Sequence, residues 1–535
     1  ALAQLNQLAG QYGVPPHLFV TTARDADAVV TVDNEDAWRQ RLDAGVVLPF
    51  LVCQHWYKLI ESAGLTDKAT LTAVASLGGD FGFGGHSPAV EGGALCGLLK
   101  SLDAESAGRM TAKVIDAPPR DPAKLIVSSI LKELAAGRPE VEVAYVRGRR
   151  ETAVAIPQPA PDLAFRSVKK GGVWVVSGGA RGITAILARE LARRCRLKLH
   201  LLGTRAEPQI DPSWRGLSEE GRTELKKRIL LDARRSGRVP HEVWREVELS
   251  LEMDSALRAY RDAGVEVTYH RCDVSDRRGL SQVLESSRQT HGPIDGVVHG
   301  AGLEFPSRFE KKERASLERV LGAKVQGAAN LMALTRQDPL EFFIGFGSTA
   351  GRFGGAAQTD SASASDMLGK LVARYRHERP ECAALTIDWT PWDGVGSVAA
   401  AIPDKKNLRL MPASEGTMHF LAEVQAASAE AEVLLVKHPG GAYAAHASLP
   451  NSERMERFRL LEQAVIDAPL IDYVSMEQEG RGVAGVTYFP TTDPFLTGHL
   501  VEGVPLLPAV AGMETCAQAA SALSGGRTVV GIRDI

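Results

Sequence analysis

The 535-residue chain has almost no net charge, no paired cysteines and no long apolar run, and each lack excludes a class of function. Its 62 basic and 65 acidic side chains leave a net charge of −3. The broad positive field that nucleic-acid binding needs is therefore missing. The longest apolar stretch, near Val46–Cys53, carries Pro49 and falls far short of the ~18 residues of a membrane span. The opening residues, Ala1–Gly10, have neither a basic stretch nor an apolar core, so no signal peptide is expected. Cys53, Cys96, Cys195, Cys272, Cys382 and Cys516 are far apart and form no Cys-x-x-Cys pair. That is neither a disulfide scaffold nor a zinc site; it suits a reducing, cytoplasmic compartment, and no metal is expected. What is present is ordinary for a globular protein: 44 % hydrophobic and 24 % charged residues. At about 100–200 residues per domain, the length predicts roughly three or four units.

Alternating prolines at Ile156-Pro157-Gln158-Pro159-Ala160-Pro161 favour an extended connector. They separate a first unit, 1–155, from a second over 166–447, with 156–165 as the linker. His438-Pro439-Gly440-Gly441 marks a softer break, and a third unit, 451–535, is expected to be only part of a domain. The middle unit alternates strands (172–177, 198–202, 265–270, 294–299, 342–347, 383–387) with helices. That pattern argues for a parallel, doubly wound sheet. A polar, helical insertion lies between Arg205 and Gly264. Ser76-Leu77-Gly78-Gly79-Asp80-Phe81-Gly82 matches Ser348-Thr349-Ala350-Gly351-Arg352-Phe353-Gly354 at four of seven positions, each loop following a short apolar strand. Either this is a chance likeness of glycine-rich loops, or the first unit is a worn copy of the second that keeps the scaffold and drops the chemistry.

Val173-Trp174-Val175-Val176-Ser177-Gly178-Gly179-Ala180-Arg181-Gly182-Ile183-Thr184 is a buried strand running into a glycine turn and a helix start. Glycine at 178 and 182 lets the backbone approach a pyrophosphate, whose charge sits on the free N–H groups of the helix. Thr204 and Arg205 close the next strand, where dinucleotide folds place their ribose reader. An arginine there, with Arg181, favours the 2′-phosphate of NADPH. Asp273, beside Val274, closes the third strand on the adenine side. Gly300, Ala301 and Gly302 close the fourth on the nicotinamide side.

With these positions in place, the chain resembles the ketoreductase of type I polyketide and polyunsaturated fatty acid synthases, a branch of the short-chain dehydrogenase/reductase family. The resemblance implies an α/β fold of two Rossmann-like subdomains, structural (1–155) and catalytic (166–447), with parallel, doubly wound sheets. It also implies NADPH as cofactor and, as substrate, a β-ketoacyl chain on the phosphopantetheine of an acyl carrier protein within a multidomain synthase. By the family's pattern, Lys324 is the lysine after the fourth strand and Ser348 the serine after the fifth. The family continues Gly-Gln-Thr-Asp-Tyr-x-x-x-Asn, where this chain has Ala357-Gln358-Thr359-Asp360-Ser361-Ala362-Ser363-Ala364-Ser365. Ser361 thus holds the tyrosine position, 13 residues after Ser348, and Ser365 the asparagine position. A tyrosine beside a lysine protonates the alkoxide left by hydride delivery, help worth roughly 10²–10⁴ in rate. Serine is shorter and far less acidic, so impaired reduction is expected, whether the change is natural or deliberate. A non-catalytic scaffold is the rival reading. Taken alone, Ser348 is a turn cap and Lys324 a solvated helix lysine. The basic residues Arg222, Lys226, Lys227, Arg228, Arg234 and Arg235 read as a solvated face or as a carrier-protein contact.

Asp493-Pro494-Phe495-Leu496-Thr497-Gly498-His499-Leu500-Val501-Glu502-Gly503-Val504-Pro505-Leu506-Leu507-Pro508 contains His-x3-Gly-x4-Pro. It is similar to the start of the hot-dog (α+β) dehydratase of the same synthases. The likeness implies that His499 is the base that takes the α-proton of a β-hydroxyacyl thioester, and that a dimer forms through that domain.

Overall fold

The computed structural model describes residues 1–24, 31–137, 140–146, 149–155, 167–395, 410–426, 430–436 and short pieces between 473 and 530. The proline-rich 156–165 connector lies outside the described residues. Two sheets carry the fold. The first is β1 (His17–Ala23), β2 (Thr70–Ala75), β3 (Thr111–Asp116), β4 (Glu142–Val146) and β5 (Arg149–Glu151), in that spatial order. β1–β4 are parallel, and β5 turns back antiparallel on β4. This corrects the expectation of a doubly wound first sheet: its strands follow chain order to one edge and never reverse.

The second sheet is doubly wound as expected. Its strands are β6 (Val173–Ser177), β7 (Lys198–Gly203), β8 (Glu266–Arg271), β9 (Gly296–His299), β10 (Phe342–Ser348), β11 (Ala383–Trp389) and β12 (Glu432–Leu435). Their order is β12-β11-β10-β9-β6-β7-β8, all parallel. The winding reverses between β6 and β9, where open α/β sheets place their ligands. β6 is buried at every residue, the signature of a strand covered on both faces. The insertion forms two helices, Glu219–Arg235 and Pro240–Asp262. The first starts on the Ser218 side chain, with Glu219 and Glu220 in its first turn and Arg234 and Arg235 in its last, charges that complement the helix dipole. Arg222 pairs with Glu248, Lys227 with Glu224 and Arg235 with Asp232, while Lys226 lies over Trp244. Much of the basic face is thus balanced within the insertion itself.

The sequence repeat has a structural counterpart. The same shift of 272 positions carries Thr70–Ala75 onto Phe342–Gly347 and Thr111–Asp116 onto Ala383–Asp388. Before each first strand of these pairs, an eight-residue α-helix runs into a five-residue π turn and then a second α-helix: Glu35–Leu42, Asp43–Val47, Leu48–Ser62, and Arg314–Leu321, Gly322–Gln326, Gly327–Leu334. The worn-copy reading is the one that fits. Among the described residues the first sheet has no counterpart of β6, β7 or β8.

The two units share one core: Leu95, Leu98 and Leu99 of the first and Met367, Leu368 and Leu371 of the second fall in a single buried cluster. The Gly92–Ser106 and Thr359–Glu378 helices cross so closely that a Cβ on Gly97 would lie 2.3 Å from the Ala362 carbonyl oxygen. Lys100 reaches across to Asp366 at 2.7 Å and to Glu142 at 3.2 Å. Lys370 lies 3.3 Å from Asp366 and Arg352 pairs with Glu142. Burial works against the Asp366 charge, but Lys100, Lys370 and Arg352 outweigh it and hold the carboxyl at about 2. Cys96, Glu142 and Asp366 are spaced as metal ligands could be. Both carboxylates are already paired with cations of the chain, Glu142 with Lys100 and Arg352 and Asp366 with Lys100 and Lys370.

Gly97→Ala is expected to destabilise the protein by about 1–3 kcal/mol through overpacking of this crossing, measured by denaturant unfolding; an unchanged midpoint would show that the helices can separate freely. A second prediction concerns acid. Buried His200 hydrogen-bonds His270 at 2.9 Å and His291 at 3.0 Å, and His291 meets Glu266 at 2.8 Å. Burial, then the two neighbouring rings, pull the His200 pKa down to about 4 from 6.5. The folded state therefore holds His200 neutral. Its contribution is complete above the unfolded pKa and is lost as pH falls from about 6.5 towards 4. His200→Phe should flatten that part of the stability–pH curve.

Candidate active site

The glycine loop leaves β6 with Gly178 at φ +74° and Gly182 at φ +61°, left-handed values that suit glycine. A Cβ on Gly178 would lie 2.7 Å from the Gly300 carbonyl oxygen, so the turns after β6 and β9 touch backbone to backbone. A Cβ on Gly182 would meet nothing within 4 Å. The start of the Gly182–Cys195 helix, with Ile183 in its first turn, is thus a cradle with room for a phosphate. The Glu252 carboxylate accepts from the Gly182 N–H at 3.1 Å and lies 3.9 Å from Arg181, as an anion at a helix start does. Tyr260, on the same helix as Glu252, donates to the Gly179 carbonyl at 2.9 Å and holds the loop from behind.

Thr204 and Arg205 are exposed just past β7, and the Tyr269 hydroxyl fixes the Arg205 carbonyl at 2.6 Å. Asp273 Oδ1 accepts from the Ser275 N–H at 2.9 Å and its hydroxyl at 2.7 Å, closing a tight turn. Val274 is buried behind it, and its carbonyl accepts from Asn330 Nδ2 at 2.9 Å. Ser177 is fully buried and acts inside the fold: its hydroxyl accepts from the Ala301 N–H at 3.2 Å and lies 2.8 Å from His299 Nδ1. His299 Nε2 is 2.8 Å from the Lys324 carbonyl, which can only accept. So Nε2 carries the proton, Nδ1 accepts from Ser177, and the ring is neutral. Burial holds it so, pushing its pKa down to about 4. This relay joins the glycine loop, the Gly300–Gly302 turn and the π turn that carries Lys324.

Lys324 is buried, and its Nζ donates to Ser365 Oγ at 2.9 Å. Burial pushes its ammonium below the ordinary lysine value, against the pull of Glu304 and Asp388. Ser361 and Ser365 stand one turn apart on the Thr359–Glu378 helix, both buried. The Ser361 N–H donates to Asp360 Oδ1 at 2.8 Å, and that oxygen also takes Lys312 Nζ at 2.6 Å. Ser348 ends β10 and accepts from the Ala350 N–H at 3.2 Å, capping a short helix. The structure brings Lys324 and Ser365 together; among the described residues no hydrogen bond joins Ser348 to them. In the first copy, Gly45 stands at the Lys324 place and Glu91 packs against it; a Cβ there would lie 2.6 Å from Glu91 Cγ. The same 272-position shift puts Ala89 and Gly93 where the second copy has Ser361 and Ser365.

Residues 172–394 match the family model of the KR domain. This segment is a KR domain. The family's members are NADPH-dependent reductases of short-chain dehydrogenase type found in polyketide and polyunsaturated fatty acid synthases. The chain is 27% identical over 389 residues to a polyunsaturated fatty acid synthase polypeptide of Thraustochytrium sp., covering 69% of this chain and 14% of that one. It is 25% identical over 323 residues to polyketide synthase PksN of Bacillus subtilis, covering 59% of this chain and 5% of that one. The chain therefore spans a small part of the curated relatives it matches. Among solved structures, it resembles an N-terminal ketoreductase from the macrolactin assembly line (TM-score 0.59, 20% identity, 85% of this chain and 77% of that one). A-type ketoreductases of a modular polyketide synthase are similar too (TM-score 0.58, 20% identity, 81% and 79%). These two likenesses show the fold.

The KR domain match ends at residue 394, short of His499. His499 is exposed, and its Nδ1 lies 2.8 Å from the Leu506 carbonyl. A two-residue hairpin, Leu500–Val501 with Val504–Pro505, and the Ala509–Leu523 helix follow it. Three supports of the KR site carry no motif in the sequence: Asn330 behind Val274, and Gln54 and Glu105, which reach in from the first unit. Arg205→Ala is expected to weaken NADPH binding and to leave NADH nearly unchanged, because only NADPH offers a 2′-phosphate for a charge-assisted bond. Equal weakening of both in a fluorescence titration would remove Arg205 from that role.

Proposed function

We propose that this chain is the NADPH-binding ketoreductase region of a type I polyketide or polyunsaturated fatty acid synthase, with reductive turnover impaired at the proton-donating step. The observation that carries this reading is the pairing of a glycine loop at a helix start, where the Glu252 carboxylate takes the Gly182 N–H as a phosphate would, with Ser361 at the tyrosine position. Gly178, Gly179, Arg181, Gly182 and Ile183 would hold the pyrophosphate, with Thr204 and Arg205 at the 2′-phosphate, Asp273 and Val274 at the adenine, and Gly300–Gly302 at the nicotinamide. NADPH supplies a hydride when bound. The substrate would be a β-ketoacyl thioester on an acyl carrier protein, supplied by neighbouring synthase domains in the cytoplasm. Ser348 and Lys324 would polarise its keto oxygen. Lys324 is bound to Ser365, and Ser361 cannot extend a phenol to the alkoxide, so water would substitute in part as the proton donor.

A catalytically inactive structural role in the synthase is the second reading, favoured by the burial of Ser361 and Ser365, which hold the tyrosine and asparagine positions. The double variant Ser361→Tyr/Ser365→Asn separates the two. On the first reading, turnover of a small β-ketoacyl thioester rises by roughly two orders of magnitude; an unchanged rate in a folded double variant supports the second.

We further propose that residues from 451 onward begin a hot-dog dehydratase, with His499 as its base and a dimer formed through that domain. Elimination needs a second group to protonate the leaving hydroxyl, and no acid in reach of His499 has the family's surrounding motif. The chain alone is expected to form no α,β-unsaturated product from a β-hydroxyacyl thioester. Product that disappears in His499→Ala would place the second acid within these 535 residues.

A further inference from the structure

Glu105 lies on the Gly92–Ser106 helix of the first unit, and its side chain is only 3% exposed. Its two oxygens serve two loops of the other unit. Oε1 accepts from the Phe309 N–H at 2.7 Å, and Oε2 accepts from the Ala357 N–H at 3.0 Å. The first loop follows the Gly300–Gly302 turn; a Cβ on Gly302 would lie 3.6 Å from Lys324 Cε, so this loop passes the lysine. The second follows β10 and leads within four residues to Ser361. The loops also meet directly, the Ser307 N–H donating to the Ala357 carbonyl at 3.2 Å. Gln54, again from the first unit, donates to the Phe309 and Lys312 carbonyls, both at 2.7 Å. Lys312 then carries the contact to Asp360 and the Ser361 amide.

Ala357 adds an independent sign. Its φ is +63°, a left-handed value that costs a residue with a Cβ, and such conformers persist only where the surroundings over-determine them. Here the surroundings are Glu105 on its N–H and Ser307 on its carbonyl. A carboxylate whose two oxygens each hold one backbone N–H from a different loop fixes the spacing of those loops, one of which starts beside Lys324 while the other leads to Ser361.

We propose that Glu105, from the unit that holds no cofactor loop, is a positioning residue that sets the substrate opening of the KR site for an acyl thioester. This rests on the ketoreductase reading for the identity of the ligand, but the loop clamp itself does not.

The test uses the full chain and its Glu105→Ala and Glu105→Gln variants. Amide hydrogen exchange is followed over 305–310 and 354–358, with the Gly182–Cys195 helix as a folding control. Binding is measured for NADPH, and for an N-acetylcysteamine β-ketoacyl thioester with NADP⁺ present to prevent turnover. In Glu105→Ala, both loop segments should exchange roughly tenfold faster and the thioester should bind roughly tenfold more weakly, as expected for loss of hydrogen bonds to a charged group. NADPH affinity should stay within about twofold, a split that general loss of structure would not produce. Glu105→Gln keeps one acceptor oxygen and should fall between, with one loop released more than the other. Unchanged exchange in both variants overturns the clamp. Faster exchange with unchanged thioester affinity overturns the positioning role. Faster exchange in a protein whose unaltered form binds neither NADPH nor thioester leaves the clamp standing and refutes the ketoreductase reading instead.

Discussion

The close crossing of the Gly92–Ser106 and Thr359–Glu378 helices is the constraint on which the rest of the molecule depends. Gly97 lets one backbone rest on the Ala362 carbonyl, and Lys100 then meets Asp366 away from water. Breaking a buried pair of this kind leaves an uncompensated charge and is strongly destabilising, whereas the intact pair chiefly fixes register. That register matters because Asp366 is the neighbour of Ser365, which holds Lys324, and because the same first-unit helix carries Ser101 and Glu105 onto the loop before Ser361. A unit with no cofactor loop thereby supports one wall of the KR site. The shared core means that each unit buries part of its apolar surface against the other, beside a cluster of its own.

The crossing also bears on the Ser-Ala-Ser-Ala-Ser run. The run lies in tight surroundings: a Cβ on Gly97 would lie 2.3 Å from the Ala362 carbonyl oxygen, and a Cβ on Gly351 would lie 2.9 Å from the Ser365 Cβ. Yet Ser361 and Ser365 stand at the places where the family keeps a tyrosine and an asparagine. In sequence, the packing demand and the loss of chemistry give the same string of small residues. Only the Lys324–Ser365 contact shows that position 365 turns towards the site.

Much of the second unit was legible because its signals are local. A buried strand, a glycine turn and a helix start follow one another over 173–184, and the structure keeps all three. The repeat was legible for the same reason, as one shift covering a loop and its strand. The first sheet was not: whether strands reverse their winding depends on pairings between distant segments, and β5 turning back on β4 has no distinctive pattern. Glu105 and Gln54 left no trace either. Each looks like an ordinary helix polar residue until the fold brings partners from beyond position 300 against it. His299 was visible as a strand-end residue, but its work as a neutral link between Ser177 and the Lys324 backbone depends on burial that the sequence does not state.

The central claim is that the cofactor site survives although the proton donor does not. The most direct test is titration of the unaltered chain with NADPH, followed by fluorescence and checked by displacement with NADP⁺. The account predicts saturable binding at one site per chain, displaced by NADP⁺. A folded chain that binds no NADPH would contradict it and leave the second unit, like the first, a scaffold.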